Sequence, residues 1–307
     1  MRLASLSAVA AISLTVSLSP VLAQESEGTM PSRWVGFGEA QFDHEFETDI
    51  DSGGTLAETR ARFELGAIYM KSPRDSIGIA VRYGHHDYEF GGTAGFGGLA
   101  PWDNIRETAV AVPYRLGIGA DWDLLAIASV QGFSESGTSW DEGVTASGIL
   151  ATTYKVSNDL KLGGGLGIST EIEDDVSFFP ILLVDWQMTE SLNFATRGAS
   201  RAVDGPQAVL SWQADPMWSL GLGAGHETKR FRLDNSGVAP GGVGEEEAYP
   251  VFASLTYGKE RGGFQAFLFG GYKLAGELTL EDRNGTFVAG SDYEDTPFVG
   301  GGLRLTW

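Results

Sequence analysis

The side chains able to do chemistry in this 307-residue chain are few, because it carries four histidines and no cysteine. Missing thiols exclude disulfides, thiolate nucleophiles and Cys-ligated metals. His44 follows Asp43, and His85 and His86 precede Asp87, neighbourhoods from which an acid–histidine pair or a metal site could be assembled. No serine stands in a nucleophile motif, and Ser134, Ser136 and Ser139 belong to an ordinary polar stretch. Gly163, Gly164, Gly165 and Gly167 would suit a phosphate cradle only ahead of a helix, and no helix-forming segment follows them. The histidines therefore read as solvated groups. The expectation is no catalytic residue, no metal, no cofactor and no enzyme.

A more regular chemistry lies in charged residues at alternate positions. Glu58, Arg60, Arg62 and Glu64 alternate with Thr59, Ala61, Phe63 and Leu65. A period of two places the charges on one face of a strand and the apolar groups on the other. The same charged parity takes in Glu39, Gln41, Asp43, Arg82, Glu107, Arg115, Lys155, Lys161, Arg197, Arg201, Lys273 and Arg304. Of these, Arg60, Arg62, Glu64, Arg82, Glu107, Arg115, Arg197 and Arg304 are the candidates for lining a lumen. Opposed rows of both signs across a water-filled bore would select solutes by size and charge, while neighbouring rows could equally pair and stiffen the wall. On this reading Leu65→Arg harms folding and Glu64→Arg does not.

Part of that inward parity is apolar: Leu125, Ile127, Phe133, Ile149, Phe179, Ile181, Leu183, Phe252, Phe267 and Phe269. Water does not favour such a surface, so either a loop folds over it or a hydrophobic solute uses it. The segment 91–104, with Phe96, Leu99 and Trp102, has the composition of the loop, and an infolded loop is the expectation.

The elements needed to position these groups are strands. Alternating runs fall near 33–46, 56–70, 77–90, 105–116, 121–134, 143–155, 160–172, 178–188, 192–202, 207–214, 218–232, 247–257, 263–275 and 296–307, about fourteen in all, with twelve or sixteen also compatible. Short turns at 71–76, 117–120, 156–159, 189–191, 215–217 and 258–262 alternate with mostly longer acidic or glycine-rich connections, among them 47–55, 91–104, 135–142, 233–246 and 276–295. Trp34, Tyr69, Tyr114, Trp122, Tyr154, Trp186, Phe194, Trp212, Tyr257, Phe264 and Trp307 all stand beside a short turn or a terminus, as a membrane-interface girdle would. The fold class is therefore all-β, a transmembrane antiparallel up-and-down β-barrel with short periplasmic turns and long external loops.

Residues 1–23 have a charged start at Arg2, an apolar stretch and Val21-Leu22-Ala23 before Gln24, so they read as a signal peptide cleaved near Ala23, leaving 24–307 as the barrel. A net charge of −20 speaks against nucleic acid. The acidic groups around Glu45, Asp174, Glu246 and Asp292 are assigned to loops, where they would attract cations diffusely. The last strand, Val299, Gly301, Leu303, Leu305 and Trp307 in alternation with Gly300, Gly302, Arg304 and Thr306, ends on an aromatic residue and resembles the insertion signal of bacterial outer-membrane barrels.

That resemblance implies a Gram-negative outer-membrane location, outer-membrane lipid and the barrel assembly machinery as partners, and a likeness to uncharacterised porin-like barrels. A passive diffusion channel for small solutes is the leading functional expectation. A non-conducting structural or surface barrel with a loop-occluded lumen is the second, and a rim hydrolase a distant third.

Overall fold

A computed structural model describes residues 32–173, 175–198, 201–259 and 263–307, with the side chain of Arg197 outside the description. The expected signal peptide lies outside the described residues. Sixteen strand segments follow one another: β1 (Arg33–Asp49), β2 (Thr55–Met70), β3 (Ser76–Gly91), β4 (Asn104–Ile118), β5 (Trp122–Glu135), β6 (Val144–Lys155), β7 (Leu160–Thr170), β8 (Val176–Gln187), β9 (Leu192–Arg197), β10 (Gln207–Gln213), β11 (Trp218–Gly225), β12 (Glu227–Arg232), β13 (Val243–Gly258), β14 (Gly263–Glu281), β15 (Phe287–Tyr293) and β16 (Thr296–Thr306). A break at His226 divides one wall strand into β11 and β12, and a break at Glu294 and Asp295 divides another into β15 and β16. The wall is thus a closed barrel of fourteen antiparallel strands.

Closure joins the two ends of the chain. β1 pairs with β16 from Phe37 opposite Thr306 to Glu45 opposite Phe298. Beyond that ladder Gly36 and Trp307 exchange two backbone hydrogen bonds of 2.8 and 3.0 Å. The Trp307 indole lies so close over Gly36 that a Cβ there would come within 2.6 Å of it. Only glycine leaves the terminal ring that place.

Outside, Phe63, Leu65, Ile79, Val81, Leu150, Leu166, Leu222, Leu268 and Leu303 stand exposed around the wall. A continuous apolar band of this kind is the lipid-facing surface of a spanning barrel. At its short-turn edge, ring pairs Trp34 with Tyr69, Trp122 with Tyr154, and Trp218 with Tyr257 lie at centroid separations of 5.3, 4.9 and 4.8 Å. Tyr114, Trp186, Trp212 and Trp307 are exposed at the same end. Trp218, the first residue of β11, was not among the residues expected in the belt.

The segment 276–295 is not the long loop that its alternation suggested. β14 continues to Glu281 and pairs with β15, leaving only 282–286 as a turn. The pattern breaks because β14 carries a bulge: Glu247 faces Glu277 but Tyr249 faces Leu274. Ala275 within it adopts φ 50°, the left-handed region. The extra residue turns the parity over, so that Phe267, Phe269 and Lys273 point inward below it and Leu278 and Leu280 point inward above it. Glu277 is then exposed on the outward face, and Glu281 on the same face pairs with Arg230. Similarly, the wall strand expected over 192–202 ends at Arg197.

The wall is uneven in height. β2, β3 and β13 each run 16 residues and β14 runs 19, whereas β9, β10 and β11 run 6, 7 and 8. Above His226 the chain leaves the short side: β12 stays on β13 and crosses to meet β5, where Arg232 pairs with Ser134 in parallel. The external half is therefore enclosed by β1–β5 and β12–β16. The short strands β6–β11 widen only the half near the aromatic belt.

Two outcomes test this architecture. Leu65→Arg puts a guanidinium in the lipid band and is expected to destabilise the barrel by about 2–4 kcal/mol, read from urea titration of the folded form in vesicles. Deleting Ala275 is expected to expose Leu278 and Leu280 and to lower the temperature at which the folded band is lost on heating, whereas Ala275→Gly, which relieves the left-handed strain, is not.

Candidate functional site: a charged layer across the lumen

Inward residues of the tall strands meet in one buried layer. Eight carboxylates, Asp43, Glu45, Glu58, Glu64, Glu107, Asp204, Glu227 and Glu246, lie with five cations, Arg60, Arg62, Arg82, Lys229 and Lys273, and with His86, all nearly inaccessible to solvent. Period-two geometry delivers them: each of β1–β4 and β12–β14 sends every second side chain inward. Asp204 is the exception, since it comes from the connection between β9 and β10.

Burying charges is tolerated only when each finds a partner. In the half of the layer nearer the aromatic belt, Arg60 reaches Asp43 at 2.8 Å, Asp204 at 2.7 Å and Glu227 at 3.0 Å. Arg62 also bonds Asp204, and Arg82 lies 3.9 Å from it while binding Glu64 at 3.1 Å and Glu107 at 3.5 Å. One inward-folded aspartate thus faces three guanidinium groups. In the half nearer the external end, Lys273 contacts Glu45 at 2.5 Å and Glu246 at 3.1 Å, and Lys229 contacts Glu246 at 3.1 Å and bonds Glu58. The His86 imidazole Nδ1 lies 2.7 Å from Glu58 and its Nε2 3.8 Å from Glu107. Tyr88 and Tyr293 donate hydroxyls to Glu246 at 2.8 and 3.0 Å.

Glu45, Glu58 and Glu246 each bring one oxygen within 4.8 Å of the others, a spacing a metal ion could use. The ammonium groups of Lys229 and Lys273 stand among those same oxygens and supply the positive charge.

An apolar cap lies externally over the layer. Phe96 and Trp102, brought in by the 91–104 connection and its short helix α1 (Gly95–Leu99), pack with Tyr88, Phe133, Phe231, Leu278 and Leu280. The expected infolded loop is present, although Leu99 remains partly exposed and only Phe133 of the apolar inward residues is covered by it. A second infolding covers others: Ala202 and Val203 pack on Val209, Phe252, Phe267 and Phe269. Leu125, Ile127, Ile149, Phe179, Ile181 and Leu183 stay half-buried on the short-strand side.

The lumen candidates divide between two environments. Arg60, Arg62, Glu64, Arg82 and Glu107 are in the buried layer. Arg304 and Arg115 are nearer the belt: Arg304 and Arg201 share Glu39 at 3.3 and 3.2 Å, while Arg115 stands 3.7 Å from Asp123, which also binds Arg74 at 2.7 Å and Lys161 at 3.1 Å. Arg197 lies outside the described side chains. Glu45 and Glu246, expected in loops, are buried on strands, and His86, expected at a solvated rim, is buried. Asp43 and His44 face opposite sides, His44 meeting Thr59 at 2.9 Å. Glu64→Arg would set a second guanidinium against that of Arg82 and is therefore expected to cost stability, unlike the harmless change the alternation implied. Lys229 and Glu227 were missed, although Glu227, Lys229 and Phe231 alternate with Thr228, Arg230 and Arg232 as on every other wall strand. Asp204 carried no periodic signal at all.

No family model and no curated protein matches the sequence. Solved structures are similar to it in fold. An outer-membrane channel from Pseudomonas putida F1 shares 11% identity at a TM-score of 0.48, over 91% of this chain and 97% of its own. The translocator domain of the autotransporter NalP from Neisseria meningitidis shares 11% at 0.41, over 94% and 92%, and the P. putida toluene transporter TodX shares 9% at 0.43, over 89% of each. The chain, a closed fourteen-stranded barrel, resembles outer-membrane β-barrels.

Proposed function

We propose that this protein is an outer-membrane barrel whose lumen is occluded by its own side chains, so that water-soluble solutes do not pass freely along its axis. The observation that carries the reading is the charged layer, in which every arginine and lysine is held by carboxylates: some come from neighbouring strands, while the pairs of Arg60 with Glu227 and Lys229 with Glu58 and the contacts of Asp204 cross the lumen. An open constriction would leave those groups wet. The exposed lipid face and the terminal Trp307 strand suit outer-membrane lipid and the barrel assembly machinery as partners.

Porin-like passage of small solutes is favoured by one feature, the partly exposed charged groups Glu39, Arg115, Arg201 and Arg304 in the wider half of the lumen. For that reading the layer must open.

Single-channel recording of the refolded chain in a planar bilayer separates the two. The wild type is expected to stay silent, and a variant lacking 95–101 is expected to stay silent too, because the charged layer beneath the cap remains. Steady wild-type conductance would establish the open porin instead. Asp204→Asn leaves three buried guanidinium groups short of one charge and is expected to cost about 3–5 kcal/mol of stability, measured by urea unfolding in vesicles.

A further inference from the structure

The wall is unzipped on one side. β8 is paired with β7 along its length, from Val176 opposite Thr170 to Trp186 opposite Leu160. On its other edge the strand pairing with β9 covers only Asp185, Trp186 and Gln187. The ladder ends at Thr196, whose hydroxyl accepts the Val184 N–H and donates to the Leu182 carbonyl, each at 2.9 Å. Above that point, among the described residues, no strand partner lies along β8 from Val176 to Ile181. The chain that would have continued the wall turns inward, where Asp204 meets the arginines. Among the described residues the gap is bridged at the top, where Arg230 binds Glu173 at 3.1 Å and Arg232 donates to the Ile172 carbonyl at 3.1 Å.

Six residues of strand span about 20 Å, so the notch occupies much of the lipid band. Its β8 bank faces lipid: Phe178 and Leu182 are more than 60% exposed. From Val176 to Val184 there is no charged residue. The inner side of β8 presents half-buried Phe179, Ile181 and Leu183, and the Phe179 ring lies over Gly167, where a Cβ would come within 1.9 Å. Free backbone N–H and C=O groups at hydrocarbon depth are costly unless something pairs with them. An occupant must therefore offer an apolar body to the side chains and hydrogen-bonding groups to the strand edge.

We propose that the notch binds one acyl chain of a lipid from the surrounding leaflet, with the chain against Phe179, Ile181 and Leu183 and its ester or amide linkage along the free edge of β8. This site is distinct from the axial layer and does not depend on whether the axis conducts.

The test uses the full barrel reconstituted in phosphatidylethanolamine and phosphatidylglycerol vesicles containing a phosphatidylethanolamine with a diazirine in mid-chain. After illumination, adducts are mapped by peptide mass spectrometry. Adducts on the inward residues Phe179, Ile181 or Leu183 are expected, in addition to those on lipid-facing residues of every strand. Ile181→Asp is expected to reduce the inward adducts at least about tenfold, given the cost of a carboxylate beside hydrocarbon, and to leave adducts on Leu65 and Leu268 unchanged. Adducts on β8 confined to Phe178 and Leu182 would overturn the proposal, as would a homodimer in which two β8 edges pair in place of lipid. The wild-type map alone decides the matter if Ile181→Asp does not fold.

Discussion

The constraint on which the rest depends is that charge taken out of water must be neutralised in place. The tall side of this barrel sends so many arginines, lysines and carboxylates inward that they can be buried only as one connected layer. Wall strands alone do not complete it. Arg60, Arg62 and Arg82 converge where Asp204 arrives, and Asp204 can arrive only if the connection between β9 and β10 leaves the wall. The inward turn brings Val203 onto Phe252 and its neighbours, so apolar burial supports the same path. The short β9 and β10 and the unzipped edge of β8 then follow from one electrostatic requirement.

The barrel has two different sides because its inward residues suit two different surroundings. β1–β4 and β12–β14 carry charges inward and close on each other through the crossing of β12 to β5. β5–β8 carry Leu125, Ile127, Ile149, Phe179, Ile181 and Leu183, which cannot contribute to a charged layer and are held away from it. Charged groups that attract draw their walls together, whereas apolar groups without partners leave space beside them. The same alternation therefore builds a filled half and a wider half.

Most strand positions and the two-faced character of the wall were legible in the sequence, because each is a local consequence of the period of two, and the structure places Arg60, Arg62, Glu64, Arg82 and Glu107 on the buried parity. What escaped lay where that period fails. At Ala275 one added residue inverted the parity and made the true strand look like a loop. Beyond the membrane the solvents of the two faces exchange, so Leu278 turned inward beside Glu277 turned outward reads as a broken pattern even though the strand continues. His86 and Glu246 looked like rim residues because their partners, Glu58 and Lys229 with Lys273, are set by the register between neighbouring strands, which no single strand's alternation reveals. Asp204 belongs to a connection, and no spacing rule could place it.

A barrel that conducts freely keeps its inward charges separated by water, and each then interacts weakly with the opposite wall. Here tyrosine hydroxyls, lysines and a histidine fill the distances between carboxylates, so removing water strengthens every contact at once. Such a layer resists gradual widening. Displacing Asp204 would leave guanidinium groups short of charge, and displacing a lysine would leave carboxylates facing one another. A passage along the axis would therefore require the layer to rehydrate as a unit, with Asp204 and its three guanidinium partners parting together.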